Sequence, residues 1–257
     1  LGFENKEQQL ALIQAYNDWL LQEFCASDPE RLIGLTQIPN CGIEASISEL
    51  KRCAKLGARG VLLRNYPSGG TVMSSEDEPF WEACVTENMP IGIHIGFSAG
   101  VSGVMSFNRK GQAASGAGSM GRIIPIITDM VYEGLFDRHP ALKVSAVETG
   151  AGWLPYILEQ LDTLYWRNRT WSGIDLKYLP SRYWFSNWSI TFVEDQYGVK
   201  NRHSIGVDNM QWSTDYPHNA SDWPYSRKVM GTMFNDVPTD EKRKMTCDNC
   251  ASWYGLL

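Results

Sequence analysis

Five side chains in this sequence have the types and placement to do acid–base or metal chemistry. His94 closes the apolar run Pro90-Ile-Gly-Ile-His-Ile-Gly96, and Glu148 opens Glu148-Thr-Gly-Ala-Gly-Trp153. Asp215 and His218 lie in Trp212-Ser-Thr-Asp-Tyr-Pro-His218, and Arg64 directly follows the run Gly60 to Leu63. An imidazole with converging carboxylates is a ligand set that a borderline divalent ion such as zinc accepts. Asp215 and His94 are therefore candidate metal ligands. Glu148 could act as a general base on water or complete a ligand set, and Arg64 could clamp a substrate carboxylate in bidentate fashion, with His218 a further substrate-binding group. Each also has a structural use. A lone His on an apolar strand can be a satisfied core residue, an Asp leaving a strand can form a turn, Glu148 can cap the helix that follows, and an Arg can sit in a surface ion pair.

Short β-branched runs at Leu32 to Ile38, Gly60 to Leu63, Ile91 to Ile95, Leu142 to Val147, Trp188 to Val193 and Asn209 to Ser213 read as strands. Helical periodicity occupies Gln8 to Glu23, Ile43 to Leu56, Pro79 to Asn88, Gly121 to Phe136, Leu154 to Arg169, Gln196 to Asn201, Pro224 to Phe234 and Glu241 to Tyr254. This alternation implies parallel strands with right-handed crossovers, covered on both faces. The expectation is an α/β fold, a (β/α)8 TIM-barrel-like domain spanning residues 1–257 as one unit. Six strands stand where a barrel has eight, and the chain opens with Leu1 on a helix, so the barrel is expected to be N-terminally incomplete. In such a barrel the chemistry sits where strands end. His94, Glu148, Glu194, Asp195, Asp215 and His218 pass that filter, while His139 and His203 precede strands and belong to the opposite face. Glu194 and Asp195 are the weaker pair, since adjacent acids after a strand often only start the next helix.

The 257 residues carry 23 Lys and Arg against 29 Asp and Glu, a net charge of -6 that argues against a nucleic-acid or anionic-membrane surface. The expected partner is a small molecule. With no long apolar span and no signal-peptide pattern, a cytoplasmic location is expected, which makes the three Asn-x-Ser/Thr triplets at Asn168, Asn187 and Asn219 chance matches. The six cysteines are read as reduced, and Cys247-x-x-Cys250 alone lacks the ligands of a zinc site. Gly116-Ala-Gly-Ser-Met-Gly121 spells a dinucleotide fingerprint, but it follows a polar loop, Ser98 to Ser115, rather than a strand. That loop is expected to edge or cover the site. The aromatics Trp166, Trp171, Tyr183, Trp184 and Trp188 could wall a pocket or form a subunit interface, and a homo-oligomer is expected.

The chain resembles the amidohydrolase-related branch of the amidohydrolase superfamily, the group that includes aminocarboxymuconate-semialdehyde decarboxylase. The resemblance rests on Arg31-Leu-Ile-Gly-Leu-Thr-Gln-Ile-Pro39, Leu56-Gly-Ala-Arg-Gly-Val-Leu-Leu63, the His94 strand, Phe136-Asp-Arg-His-Pro-Ala-Leu-Lys-Val144, Glu148-Thr-Gly-Ala-Gly-Trp-Leu-Pro-Tyr156 and Ser213-Thr-Asp-Tyr-Pro-His218, all in the family's order. It implies a barrel enzyme in which His94 and Asp215 help hold one divalent ion, commonly zinc. Two departures stand out. The acid-or-His-x-His motif of the family's first strand occurs nowhere before His94, and decarboxylase-like members carry His at the position of Glu148. The leading expectation is accordingly a metal-dependent hydrolase acting on a small, aromatic-acid-derived substrate, with Glu148 and Asp215 catalytic. The alternatives are a nonoxidative decarboxylase, and a catalytically silent fragment or binding barrel.

Overall fold

In the computed structural model, residues 5–70, 72–97 and 120–257 are described. The loop 98–115 and most of the glycine motif 116–121 lie outside them. The chain divides into two compact units, one of Leu1–Ser102 with His139–Val144, the other of Gly103–Arg138 with Ser145–Leu257.

The first unit contains α1 (Lys6–Asp18), β1 (Leu35–Gln37), α2 (Ile43–Lys55), β2 (Gly60–Leu63), α3 (Glu78–Thr86) and β3 (Ile91–His94). β1 pairs with β2 and β2 with β3, both in parallel, in the registers Leu35↔Gly60 and Val61↔Ile91. Ile91 N donates to Lys143 O at the foot of the next strand. Val61, Leu63, Ile91 and Ile93 of the strands and Leu50, Phe80 and Trp81 of the helices are all buried, as the continuous apolar runs require.

One polar cluster sits inside this apolar packing. Asn17, on the last turn of α1, pairs with the Gln37 backbone at both ends of its amide: Nδ2 donates to Gln37 O and Oδ1 accepts from Gln37 N. A side-chain amide thus supplies the two bonds that a further strand would give β1. The same Nδ2 donates to Glu49, whose side chain is buried and also accepts from Gln14 and Arg52. Arg52 in turn reaches Asp18. Burial alone would raise the Glu49 pKa, but the hydrogen bonds from Arg52, Asn17, Cys53 and Gln14 outweigh it and hold the carboxyl below the usual glutamate value.

The second unit contains α4 (Ile123–Tyr132), α5 (Leu135–Arg138), most of β4 (Val144–Val147), α6 (Leu154–Ser172), α7 (Pro180–Asn187), β5 (Trp188–Phe192), α8 (Gln196–Lys200), α9 (Arg202–Ile205), β6 (Met210–Trp212), α10 (Ser226–Met233), α11 (Thr239–Arg243) and α12 (Asn249–Trp253). β5 and β6 pair in parallel with Thr191 opposite Gln211. Ser145 and Ser189 hydroxyls, 2.6 Å apart, join β4 to β5.

β2 has the predicted bounds, while the other strands run shorter than their apolar runs, most clearly at the first, where Leu32 to Ile38 contracts to Leu35–Gln37. Three predicted helices are broken: Gln8 to Glu23 by a π segment, Trp19–Phe24, Gly121 to Phe136 at the turn around Gly134, and Glu241 to Tyr254 by a second π segment, Lys244–Asp248. α7 is absent from the sequence reading. Its buried face, Pro180, Tyr183, Trp184 and Asn187, has helical spacing, but a proline and an asparagine stand at its ends and mask the apolar stripe; Trp184 stacks on Trp188 at 6.0 Å. Trp166 and Trp171 of the same aromatic group stay exposed. All six cysteines are free, and among the described residues no helix is long and apolar enough to cross a membrane.

Replacing Glu49 by Ala is expected to lower the unfolding free energy by about 3 kcal/mol in urea titrations, the lower end for a broken buried pair because Arg52 keeps Asp18 and water. Since Glu49 has a depressed pKa in the folded chain, its contribution is complete above the ordinary carboxylate range near about pH 4.3 and fades as pH falls through the folded value. Glu49→Gln should therefore flatten the acid limb of stability against pH. An unchanged limb would contradict this account.

Candidate active site

Two strand ends of the second unit build the site. β4 delivers Glu148 one residue past Val147, and β6 delivers Asp215 three residues past Trp212. Among the described residues only three non-glycines have positive φ: Asn88, Glu148 at 63° and Asp215 at 54°. Asn88 ends α3, where a left-handed Asn is ordinary. Glu148 has no such excuse, for the left-handed region costs an ordinary L-residue about 1–2 kcal/mol, whereas Asp215 stands in a turn, where Asp tolerates it better. Strain of this kind concentrates at functional positions.

The turn after Asp215 folds back on itself. His218 N donates to Asp215 O at 2.8 Å, and Ser213 Oγ accepts from Asp215 N at 3.3 Å. This returns the His218 ring onto the Asp215 carboxylate, with Nδ1 2.8 Å from Oδ2. Glu148 Oε1 lies 3.7 Å from the same nitrogen. One ligand atom from each of Glu148, Asp215 and His218 falls within 4.8 Å of the other two, close to the span of about 4.2 Å that two ligands at about 2.1 Å on opposite sides of one ion can reach. The two carboxylates are mostly buried, at 20% and 18% side-chain exposure, whereas His218 is 59% exposed. With Nδ1–H donating to Asp215, the Nε2 of His218 is the ring position left for a substrate.

β5 supports this arrangement from beside it. Thr191 Oγ1 accepts from Glu148 N at 2.7 Å. Asp195 Oδ2 accepts from Ala151 N and Gly152 N at 2.6 and 2.8 Å, while Oδ1 accepts from Gly198 N and caps α8. A Cβ at Gly198 would stand 2.6 Å from Asp195 Oδ2, so glycine is required for that approach. Asp195 is thus a capping and loop-holding residue, and Glu194 is an exposed rim residue beside Tyr225 and Lys228.

The remaining sequence-derived groups fall as follows. Arg64 and His94 leave strand ends in the first unit. His94 is half-buried and its Nδ1 accepts from Gly96 N at 3.0 Å, which places the proton of the neutral ring on Nε2. His139 bonds Glu78 at 2.8 Å and His203 pairs with Glu241 at 3.1 Å, so both serve structural contacts as their positions ahead of strands suggest. A hollow of about 710 Å³ lined by Asp137, Arg138 and Lys177 lies among segments leading into β4 and α7, and contains none of the five candidate residues. Thr191 has no chemical signature in the sequence. Only the pairing of β5 beside β4 reveals it.

Comparison with known proteins follows the same lines. The family model described as Amidohydrolase matches residues 1–256. The 2-amino-3-carboxymuconate-6-semialdehyde decarboxylase of Dictyostelium discoideum is 25% identical over 239 residues, 92% of this chain and 64% of that protein. The gamma-resorcylate decarboxylase of Rhizobium sp. strain MTP-10005 is 24% identical over 237 residues, 85% of this chain and 71% of that protein. Among solved structures, the dihydroxybenzoic acid decarboxylase of Polaromonas sp. JS666, with bound manganese and the inhibitor 2-nitroresorcinol, aligns at a TM-score of 0.77 and 21% identity, covering 98% of this chain and 77% of that one. This likeness bears out the α/β, barrel-type reading. These relatives are named for decarboxylation, so the expectation of hydrolysis gives way to its alternative.

Glu148→Gly is expected to raise the unfolding free energy by about 0.5–1 kcal/mol in metal-free buffer, by releasing the positive φ and one of two neighbouring negative charges. Denaturant titration checks this; a destabilised variant would show that Glu148 sits at ease.

Proposed function

The chain belongs to the Amidohydrolase family, and we propose that within it the protein is a metal-dependent nonoxidative decarboxylase of small, electron-rich aromatic or enolic carboxylic acids. The observation carrying this reading is the Glu148–Asp215–His218 cluster, two strained carboxylates and one carboxylate-oriented imidazole at the ends of neighbouring chain segments. The names of the relatives point to the same reaction.

Glu148 and Asp215 would hold one divalent ion. Two mostly buried carboxylates within 4.8 Å of each other repel unless a cation lies between them, and that donor set fits. Oxygen donors suit manganese at least as well as the zinc expected from sequence, and the Polaromonas decarboxylase carries manganese. When bound, the ion anchors substrate oxygens and offsets their negative charge.

The reaction breaks the bond from ring carbon to carboxyl carbon, releases carbon dioxide and returns one proton to the ring carbon. His218 supplies that proton in this reading. Its Nδ1 is held 2.8 Å from Asp215 Oδ2, so Nε2 is the ring nitrogen that would deliver the proton. The imidazole that decarboxylase-like relatives carry at the position of Glu148 is thereby replaced from position 218. The aromatic residues Tyr216 and Trp223, exposed and packed edge to face at 5.2 Å beside Asp215, are candidates for holding a planar substrate.

The direct test incubates the protein with manganese and ortho-hydroxybenzoates such as gamma-resorcylate in ¹⁸O-labelled water. Carbon dioxide release with an unlabelled phenol is expected. A product carrying solvent oxygen, or no carbon dioxide from any acid of this class, would sink the proposal. His218→Gln is expected to lower kcat by about 10²-fold or more while manganese affinity in calorimetry stays within about twofold, as befits a proton carrier rather than a ligand. Asp215→Asn should lose both.

A further inference from the structure

We propose that Thr191 is a positioning residue, whose hydroxyl holds the Glu148 amide and thereby sets the Glu148 carboxylate beside Asp215. The inference rests on the reading of Glu148 as a ligand and adds a residue to it. The Glu148 N–H sits past the end of β4, in a left-handed turn, and Thr191 Oγ1 accepts from it at 2.7 Å. Thr191 lies on β5 in register with Gln211, and alternation along the strand puts it on the same face as Ser189, which bonds Ser145 of β4 one step below. The strand fixes its backbone, and β-branching restricts χ1, so the acceptor is in place before any ion or substrate arrives.

The second anchor, Asp195, holds the loop three and four residues further on, at Ala151 and Gly152. Glu148 is therefore pinned on both sides by the end of one strand. Asp195 also caps α8, so its removal would disturb a helix as well as the loop. Thr191 allows the cleaner experiment. Valine keeps the shape and removes the acceptor, and serine keeps the acceptor and removes the methyl group.

Two measurements on the full chain decide the matter. Manganese binding by calorimetry is expected to weaken on the order of tenfold in Thr191→Val, as for other residues that orient a metal ligand, and to stay within about twofold of wild type in Thr191→Ser. Hydrogen exchange of the Glu148 amide, followed by mass spectrometry of peptides spanning 147–153, is expected to quicken in the valine variant alone, with thermal unfolding unchanged in either. Equal exchange in wild type and Thr191→Val would overturn the clamp. Manganese affinity that falls in Glu148→Gln but not in Thr191→Val would overturn the positioning role while leaving the ligand reading intact. A wild-type chain that binds no manganese would instead overturn the ligand reading, and with it the positioning role.

Discussion

Backbone strain at two strand ends is the constraint around which the second unit is arranged. Glu148 and Asp215 both hold positive φ, a conformation neither residue type adopts without cost. Such a conformation persists only where the surroundings over-determine it. Here they do: Thr191 takes the Glu148 amide, Asp195 takes the next two free amides of that loop, and the turn after Asp215 closes through its own backbone and the His218 ring. What the strain obtains is proximity. Two carboxylates from segments nearly seventy positions apart in the chain come within a few ångströms, with an imidazole fixed against one of them.

The same logic separates working polar groups from structural ones. Glu49 is more deeply buried than Glu148, yet every lone pair it offers is met by Arg52, Asn17, Gln14 or Cys53, and its backbone lies in a regular helix. His139 and His203 are likewise committed to single carboxylates. Asp195 is saturated by three amides. The Glu148–Asp215–His218 cluster differs from these in its chemistry: two carboxylates face each other beside a largely exposed imidazole. The proposed decarboxylase reading places a cation between those carboxylates.

The sequence by itself determined the order of strands and helices, because parallel strands covered on both faces must be written as continuous apolar runs, and these survive any uncertainty about their ends. It also determined which of the polar residues could meet, since the strand-end rule depends only on where each residue stands relative to a run. Glu148, Asp215 and His218 passed that filter together with His94, Glu194 and Asp195, of which Asp195 is a capping residue, and His139 and His203 were set aside on it. Strand lengths were less legible, as at Leu32 to Ile38, because an apolar run continues into turns that bury side chains without pairing backbone. α7 was hidden because its one buried stripe is short and is bounded by Pro180 and Asn187, residue types that do not read as apolar. Tertiary structure alone decided the rest. That His218 turns back onto Asp215 follows from a hydrogen-bonded turn with no marker in residue type. That an ordinary threonine reaches the Glu148 amide follows from β5 lying beside β4, and a chain written in one dimension does not record which hydroxyl will stand 2.7 Å from which amide.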